Sequence, residues 1–439
     1  MSPPPHAAAL GLAPPPAAAR PVERRGWRAL LVRRALALLG PGTLVAVGYL
    51  DPGNWATDLA GGSRWGYALL WVVALSGAMA MLLQVLAARL GIASGLDLAQ
   101  ACRAESSRAS ALVQWLACEI ALCAADLAEV IGTAVALNLL FGLPLLGGVA
   151  LTVADVLLVL ALQQRGVRRL EAFVAVLIAT VVVCLGYAVA SARPEWRAVL
   201  GGFVPTARTV VDPDMLYIAI GIVGATVMPH NLYLHSSVAQ RLRGECGGVE
   251  RAVRRATVDI VGALTIAFVV NAAILVLAAA AFHARGQHDV AELADAHALL
   301  GAMTGAGFAG TAFAIALLAS GQSASLTATL TGQIVMEGFL RLTIAAWARR
   351  LLTRGIAVVP ALVVIAGWGE SAVGSLLVAT QVVLSLQLPF AIVPLVRYTS
   401  NRRMMGAQAS GRITTMAAVA IAALIVALNA VLVLRAVSG

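Results

Sequence analysis

The sequence predicts an all-α polytopic membrane protein made of two inverted five-helix repeats and an eleventh helix. Three observations carry that prediction. The 439-residue chain is 60% hydrophobic and 12% charged, with a mean hydropathy of +0.89, whereas a soluble domain is about 25% charged. Its apolar residues fall into runs of about 20, the length that spans a bilayer core. Two of these runs carry related interruptions, Asp51-Pro52-Gly53-Asn54 and Met228-Pro229-His230-Asn231, which share the pattern x-Pro-x-Asn.

Residues 1–28 are rich in alanine and proline, including Pro3-Pro4-Pro5 and Pro14-Pro15-Pro16. They lack the basic start and clean apolar core of a signal peptide, so a disordered cytoplasmic tail is expected. Apolar segments then follow at 32–62, 66–91, 110–138, 143–163, 169–192, 214–240, 254–283, 308–338, 352–369, 371–397 and 413–436. The first, sixth and eighth are long and rich in Gly, Pro, Ser or Thr. Helices 1 and 6, which hold the interruptions, are five helices apart, and 177 residues separate Asp51 from Met228. The expected division is therefore a first repeat at 29–200, a second at 201–400 and the eleventh helix within 401–439.

Charge fixes the expected orientation. All 31 basic residues are arginine and the formal net charge is +10. With the N-terminus in the cytoplasm, 25 arginines fall on the inside. Six fall outside: Arg64, Arg193, Arg197, Arg208, Arg285 and Arg435. That asymmetry follows the positive-inside rule, puts the C-terminus outside and inverts the second repeat relative to the first. Nucleic acid is excluded as a partner, because the arginines flank apolar segments instead of forming a continuous basic face. The five cysteines are odd in number and include no C-x-x-C, so neither a disulfide framework nor a cysteine metal site is expected.

Proline and glycine break helices, and unwound backbone inside a bilayer is tolerated only where protein or a cavity satisfies it. Paired breaks in matching places of two halves point to a transporter's substrate site. Asp51 lies mid-membrane, where an ionised carboxylate costs at least about 2.5 kcal/mol; satisfaction by the free amides of the broken helix is the structural alternative. Asn54 offers a neutral carbonyl oxygen or a helix cap. Met228 stands directly before Pro229. Its thioether contributes little to hard Ca2+ or Mg2+ but suits softer d-block ions, whereas packing is the usual role of a buried methionine. The carbonyls of Gly48 and Ala225 are expected at the negative ends of half-helices, without helical donors. A divalent transition metal is the substrate this donor set suggests.

Glu119, Asp126 and Glu129 in helix 3 are spaced by seven and three, which places all three acids on one helical side. A polar pathway explains them better than packing does. His230 and His235 are five apart, one more than a shared helical face requires, and there is no H-E-x-x-H, so a zinc hydrolase is not expected. Asp58 is a candidate for the outer vestibule, whereas Asp155 and Asp259 read as helix-end pairing.

The two break motifs, extended by Gly61-Gly62-Ser63 and by Leu232-Tyr233-Leu234-His235-Ser236, resemble those of the natural resistance-associated macrophage protein (Nramp) family. Ala319-Ser320-Gly321-Gln322-Ser323 and Gly332-Gln333-Ile334-Val335-Met336-Glu337-Gly338-Phe339 in helix 8 are similar too. The resemblance spans nearly all of 30–437. It implies a LeuT-type inverted repeat with discontinuous helices 1 and 6, and proton-coupled import of Mn2+ and Fe2+ across a bacterial plasma membrane. It also implies metal ligands at Asp51, Asn54, Met228, Gly48 and Ala225, with Gln381 of helix 10 joining in some states. The implied proton route runs through Asp51, His230, Asp126 and Glu129, with Arg350 as a partner. No cofactor is implied, because Mn2+ or Fe2+ is the substrate and H+ the coupling ion. Branches of the family that carry Mg2+ or Al3+ lack the methionine kept here. The second expectation is a Na+- or H+-coupled symporter of a small organic substrate such as an amino acid on the same fold. Asp51 argues against it by repelling a substrate carboxylate. The bilayer and a divalent ion are the expected partners, and the oligomeric state stays open, a monomer included.

Overall fold

The computed structural model describes residues 40–153, 167–288, 290, 292–303, 308–369 and 372–438. The N-terminal tail, the start of helix 1, and the second half of helix 4 with Asp155 lie outside the described residues. Among these residues, nine helices are long and apolar enough to cross a membrane. Pro52–Ser94 counts as one of the nine, because the second half of helix 1 passes into helix 2 through a single 3-10 turn. Gly66 opens that turn at φ +61°, a conformation that side chains disfavour.

Both interruptions break their helices. Half-helix 1a runs Pro41–Ala46 and tightens into a 3-10 turn, Val47–Leu50; half-helix 1b resumes at Pro52 and ends at Trp65. Asp51 between them is extended, with ψ 159°, and caps 1b by accepting the Asn54 amide. Half-helix 6a spans Pro213–Val227 and 6b spans Pro229–Val238, with Met228 alone at the joint. In each case proline occupies the first position of the second half-helix, where its missing N–H costs nothing.

Helix 3 (Arg108–Phe141) lies at the centre of the fold, packed against helices 8 (Phe308–Leu340), 9 (Ala346–Trp368) and 10 (Val373–Thr399). Helix 7 (Val249–Ala281) packs on helix 2 and on both halves of helix 1. Its Asp259 accepts the amide of Gly42 at 2.6 Å, which satisfies one free donor at the start of half-helix 1a. Gly132 of helix 3 presses on Pro52, leaving no room there for a side chain and drawing helix 3 against the first break. Helix 5 (Val167–Ala192) and helix 11 (Arg412–Ser438) lie at the periphery, with many exposed apolar residues.

Helix 9 begins six residues before the predicted 352, because Arg349 and Arg350 are helical and buried against helix 3. The positive-inside count treated these two and Arg354 as topology signals. All three are instead compensated by acids inside the fold. The asymmetry survives without them.

Candidate metal site and ion network

The first break is centred on one nitrogen. Asn54 Nδ2 donates to Asp51 Oδ1 at 2.6 Å, to the Tyr49 carbonyl at 3.2 Å and to the Ala225 carbonyl at 3.2 Å. Three oxygens from both breaks therefore converge on a single electropositive group. Asn271 of helix 7 supports them, donating to the Tyr49 carbonyl at 3.1 Å and to Asn54 Oδ1 at 3.4 Å. Asp51, Asn54 and Met228 are 3%, 1% and 1% exposed, so the region is closed over.

At the second break, Met228 takes φ 39° and ψ 96°. Asn231 Nδ2 donates to its sulfur at 3.3 Å. The thioether also packs in a small apolar cluster with Ala125 of helix 3 and Leu384 of helix 10. Gln381 lies against Gly53, where a Cβ would collide with its amide. Its Nε2 reaches Thr380 at 2.9 Å while its Oε1 is buried without a partner. The Asp58, Asn231, Asn271 and Thr226 side chains also hold buried oxygens without a partner. Such atoms are costly unless something else binds them.

Among the described residues there is no group of three or more His, Cys, Asp or Glu that could hold a metal. The donors assembled here are of another kind: one carboxylate, amide oxygens, backbone carbonyls and a thioether. Of the expected ligands, Asp51, Asn54 and Ala225 are in direct contact. Met228 is at the second break, and Gly48 abuts the Asn231 amide. Sequence reasoning missed Tyr49, whose carbonyl joins that of Ala225 on the Asn54 amide, and Asn271. A lone asparagine inside an apolar helix was the available signal for Asn271.

The helix 3 acids meet three arginines of helix 9. Glu119 pairs with Arg349 at 2.9 Å, Asp126 with Arg350 at 2.6 Å and Glu129 with Arg350 at 3.4 Å. Arg354 stands 3.8 Å from both Asp126 and Glu129 and donates to Ser325 of helix 8 at 2.7 Å. Arg350 also donates to the Ser325 hydroxyl. The sequence expectation named Arg350 but not Arg354, one helical turn further on. His230 is buried with Nδ1 unpartnered, whereas His235 bonds Gln84 of helix 2 at 3.0 Å. Gln84 in turn donates to the Tyr49 hydroxyl at 2.7 Å. His235 is thus an interhelical hydrogen-bonding residue.

The description "Natural resistance-associated macrophage protein-like" (Nramp) matches residues 42–435. A divalent metal cation transporter MntH from Xanthomonas campestris pv. campestris is 58% identical over 399 residues, covering 90% of each chain. The MntH of Nostoc sp. is 52% identical over 409 residues, covering 93% of this chain and 92% of its own. A manganese transporter from Eremococcus coleocola was solved in complex with an aromatic bis-isothiourea substituted compound. It superposes with a TM-score of 0.80 at 38% identity, covering 94% of this chain and 87% of that one. Mhp1, a nucleobase-cation-symport-1 family transporter, is 16% identical with a TM-score of 0.60, covering 83% of this chain and 79% of that one, and shares the fold alone. The architecture is accordingly LeuT-type, with discontinuous helices 1 and 6. The motifs at both breaks, the fold and the extent of these matches place the chain in the natural resistance-associated macrophage protein (Nramp) family.

Proposed function

We propose that the protein imports Mn2+ and Fe2+ across the plasma membrane as a proton-coupled secondary transporter. The observation that carries this reading is the convergence of Asp51, Tyr49 and Ala225 oxygens on the Asn54 amide. A hydrogen-bond donor held by three oxygens marks a place where a cation can replace it. The ion sheds water onto Asp51, the Asn54 oxygen and the carbonyls, and the Met228 thioether supplies the preference for softer metals. One carboxylate offsets half of a divalent charge, which suits a cargo that must leave again.

Asp51 must be deprotonated to hold a metal, so proton and metal compete or exchange there. The released proton moves toward Asp126 and Glu129, with His230 beside the route and Arg350 and Arg354 balancing the acids. The two repeats, 29–200 and 201–400, rock about the breaks to open the inner side. The N-terminus is cytoplasmic and the C-terminus outside. The amino-acid symporter alternative is disfavoured because an anionic substrate would face Asp51. The MntH relatives are divalent metal cation transporters, which supports the metal reading.

The test is flux in proteoliposomes across Mn2+, Fe2+, Co2+, Cd2+, Ca2+ and Mg2+ with internal pH recorded. The proposal expects transition-metal influx with acidification. Asp51→Ala abolishes that influx; retained uptake would remove the site from these breaks.

A further inference from the structure

Helix 11 stands outside both repeats and faces the surroundings along most of its length. Its buried positions Ala418, Ile425 and Asn429 form one narrow stripe. Asn429 is the polar member, and both of its amide atoms are engaged by one residue of helix 10. Its Nδ2 donates to the Ser385 carbonyl at 2.7 Å, and its Oδ1 accepts from the Ser385 hydroxyl at 3.0 Å.

The chemistry of helix 10 explains why a partner is needed there. In a continuous helix the Ser385 carbonyl would accept from the amide four residues on. That residue is Pro389, which has no N–H and sits inside the helix. The carbonyl is orphaned within a membrane segment, where no water replaces the lost donor. Asn429 supplies it from the neighbouring helix.

The orphaned carbonyl also lies one turn from Gln381. Gly224, the residue before Ala225, presses on the Gln381 carbonyl and the Ser385 amide nitrogen, and Gly53 presses on the Gln381 side chain. The turn 381–385 is thus wedged between both breaks on one side and Asn429 on the other. We infer that Asn429 is a positioning residue for metal binding. By holding the proline-bent turn of helix 10, it sets where Gln381 stands relative to the breaks. This rests on Gln381 serving as a metal ligand.

The test measures the KM for Mn2+ in proteoliposomes, a quantity independent of how much protein is active. Gln381→Ala first tests the underlying site: an unchanged KM there sinks the ligand reading itself. Given a raised KM for Gln381→Ala, Asn429→Ala raises KM by roughly three- to tenfold and adds nothing in the Gln381→Ala background. Pro389→Ala restores an N–H to helix 10 and brings the KM of Asn429→Ala back toward the wild-type value. An Asn429→Ala protein with wild-type KM overturns the inference. So does a KM effect that adds to that of Gln381→Ala, or one that Pro389→Ala leaves untouched.

Discussion

Met228 combines two separable properties, a backbone with φ 39° and a sulfur turned to Asn231 and helix 3. The positive φ costs a side-chain-bearing residue on the order of 1–3 kcal/mol, yet a glycine does not stand at this joint. The strain is consistent with a demand for the thioether. Met228→Ala should keep part of the Mn2+ uptake but admit Ca2+ or Mg2+, and competition flux assays read this directly. Unchanged selectivity would remove the thioether argument. Met228→Gly deletes the same sulfur but takes that backbone freely. It should therefore be more heat-stable than Met228→Ala, by about 1 kcal/mol, with the same loss of selectivity. At this scale the sequence was legible for side chains and less so for carbonyls. Asp51, Asn54 and Met228 announce themselves as polar or soft groups at a break. That the Tyr49 carbonyl, in the 3-10 turn Val47–Leu50, meets the Asn54 amide is a matter of backbone conformation that no residue type encodes.

Helices 3 and 9 are joined by charges that neither could carry alone in a bilayer. Removing one partner of a buried ion pair leaves an uncompensated charge and costs about 3–5 kcal/mol. Arg350→Ala should lower thermal stability by that order, and adding Asp126→Asn should restore part of it; a further loss in the double variant would contradict the pairing. The acids were readable from their spacing. Arg354 was readable too, because it follows Arg350 by one turn, but its place at the edge of an apolar run made it look like a topology signal.

A second element-scale link joins the segment between helices 7 and 8 to half-helix 1b and to the start of helix 10. Ser63 of half-helix 1b donates to the Val290 carbonyl at 3.1 Å, and Glu292 accepts the Gly374 amide at the start of helix 10 with both oxygens. Burial raises the Glu292 carboxyl to about 7, against the lowering effect of the Gly374 amide. A raised value means that the folded state favours the neutral acid. Its contribution is complete below the ordinary carboxyl value of about 4.3 and is lost as pH rises through about 7. Hydrogen exchange around Gly374, corrected for intrinsic rate, should show protection falling from pH 5 to pH 8. Glu292→Gln should flatten that dependence; an unaltered pH profile in the variant would assign it to another group.

For the molecule as a whole, the most informative sequence signals were the paired interruptions and the arginine asymmetry, since both report on the relation between the halves. The interruptions are broken helices in the structure, with proline at the first position of each second half-helix. Less legible were contacts that cross between elements far apart in the chain, such as Asn271 with Tyr49 and Asn429 with Ser385. A solitary asparagine in an apolar run signals that a partner exists, but the fold alone says which carbonyl it meets. The same limit applied to Gln381, whose closeness to Gly53 follows from helix 10 crossing the first break.

The Asn54 amide bears on the half of the cycle in which nothing is carried. In the proposed proton-coupled cycle the carrier returns unloaded, and a lone carboxylate flanked by bare carbonyls would make that journey costly. The Asn54 amide, which donates to Asp51 and to the Tyr49 and Ala225 carbonyls, gives those oxygens a counterpart from the chain itself. Asn54→Asp replaces that internal stand-in with a second anion and should tether the return leg to a bound ion. The variant is then expected to swap labelled Mn2+ for unlabelled Mn2+ across a liposome while net accumulation fails. Net uptake at the wild-type rate would show that the empty carrier does not need the amide.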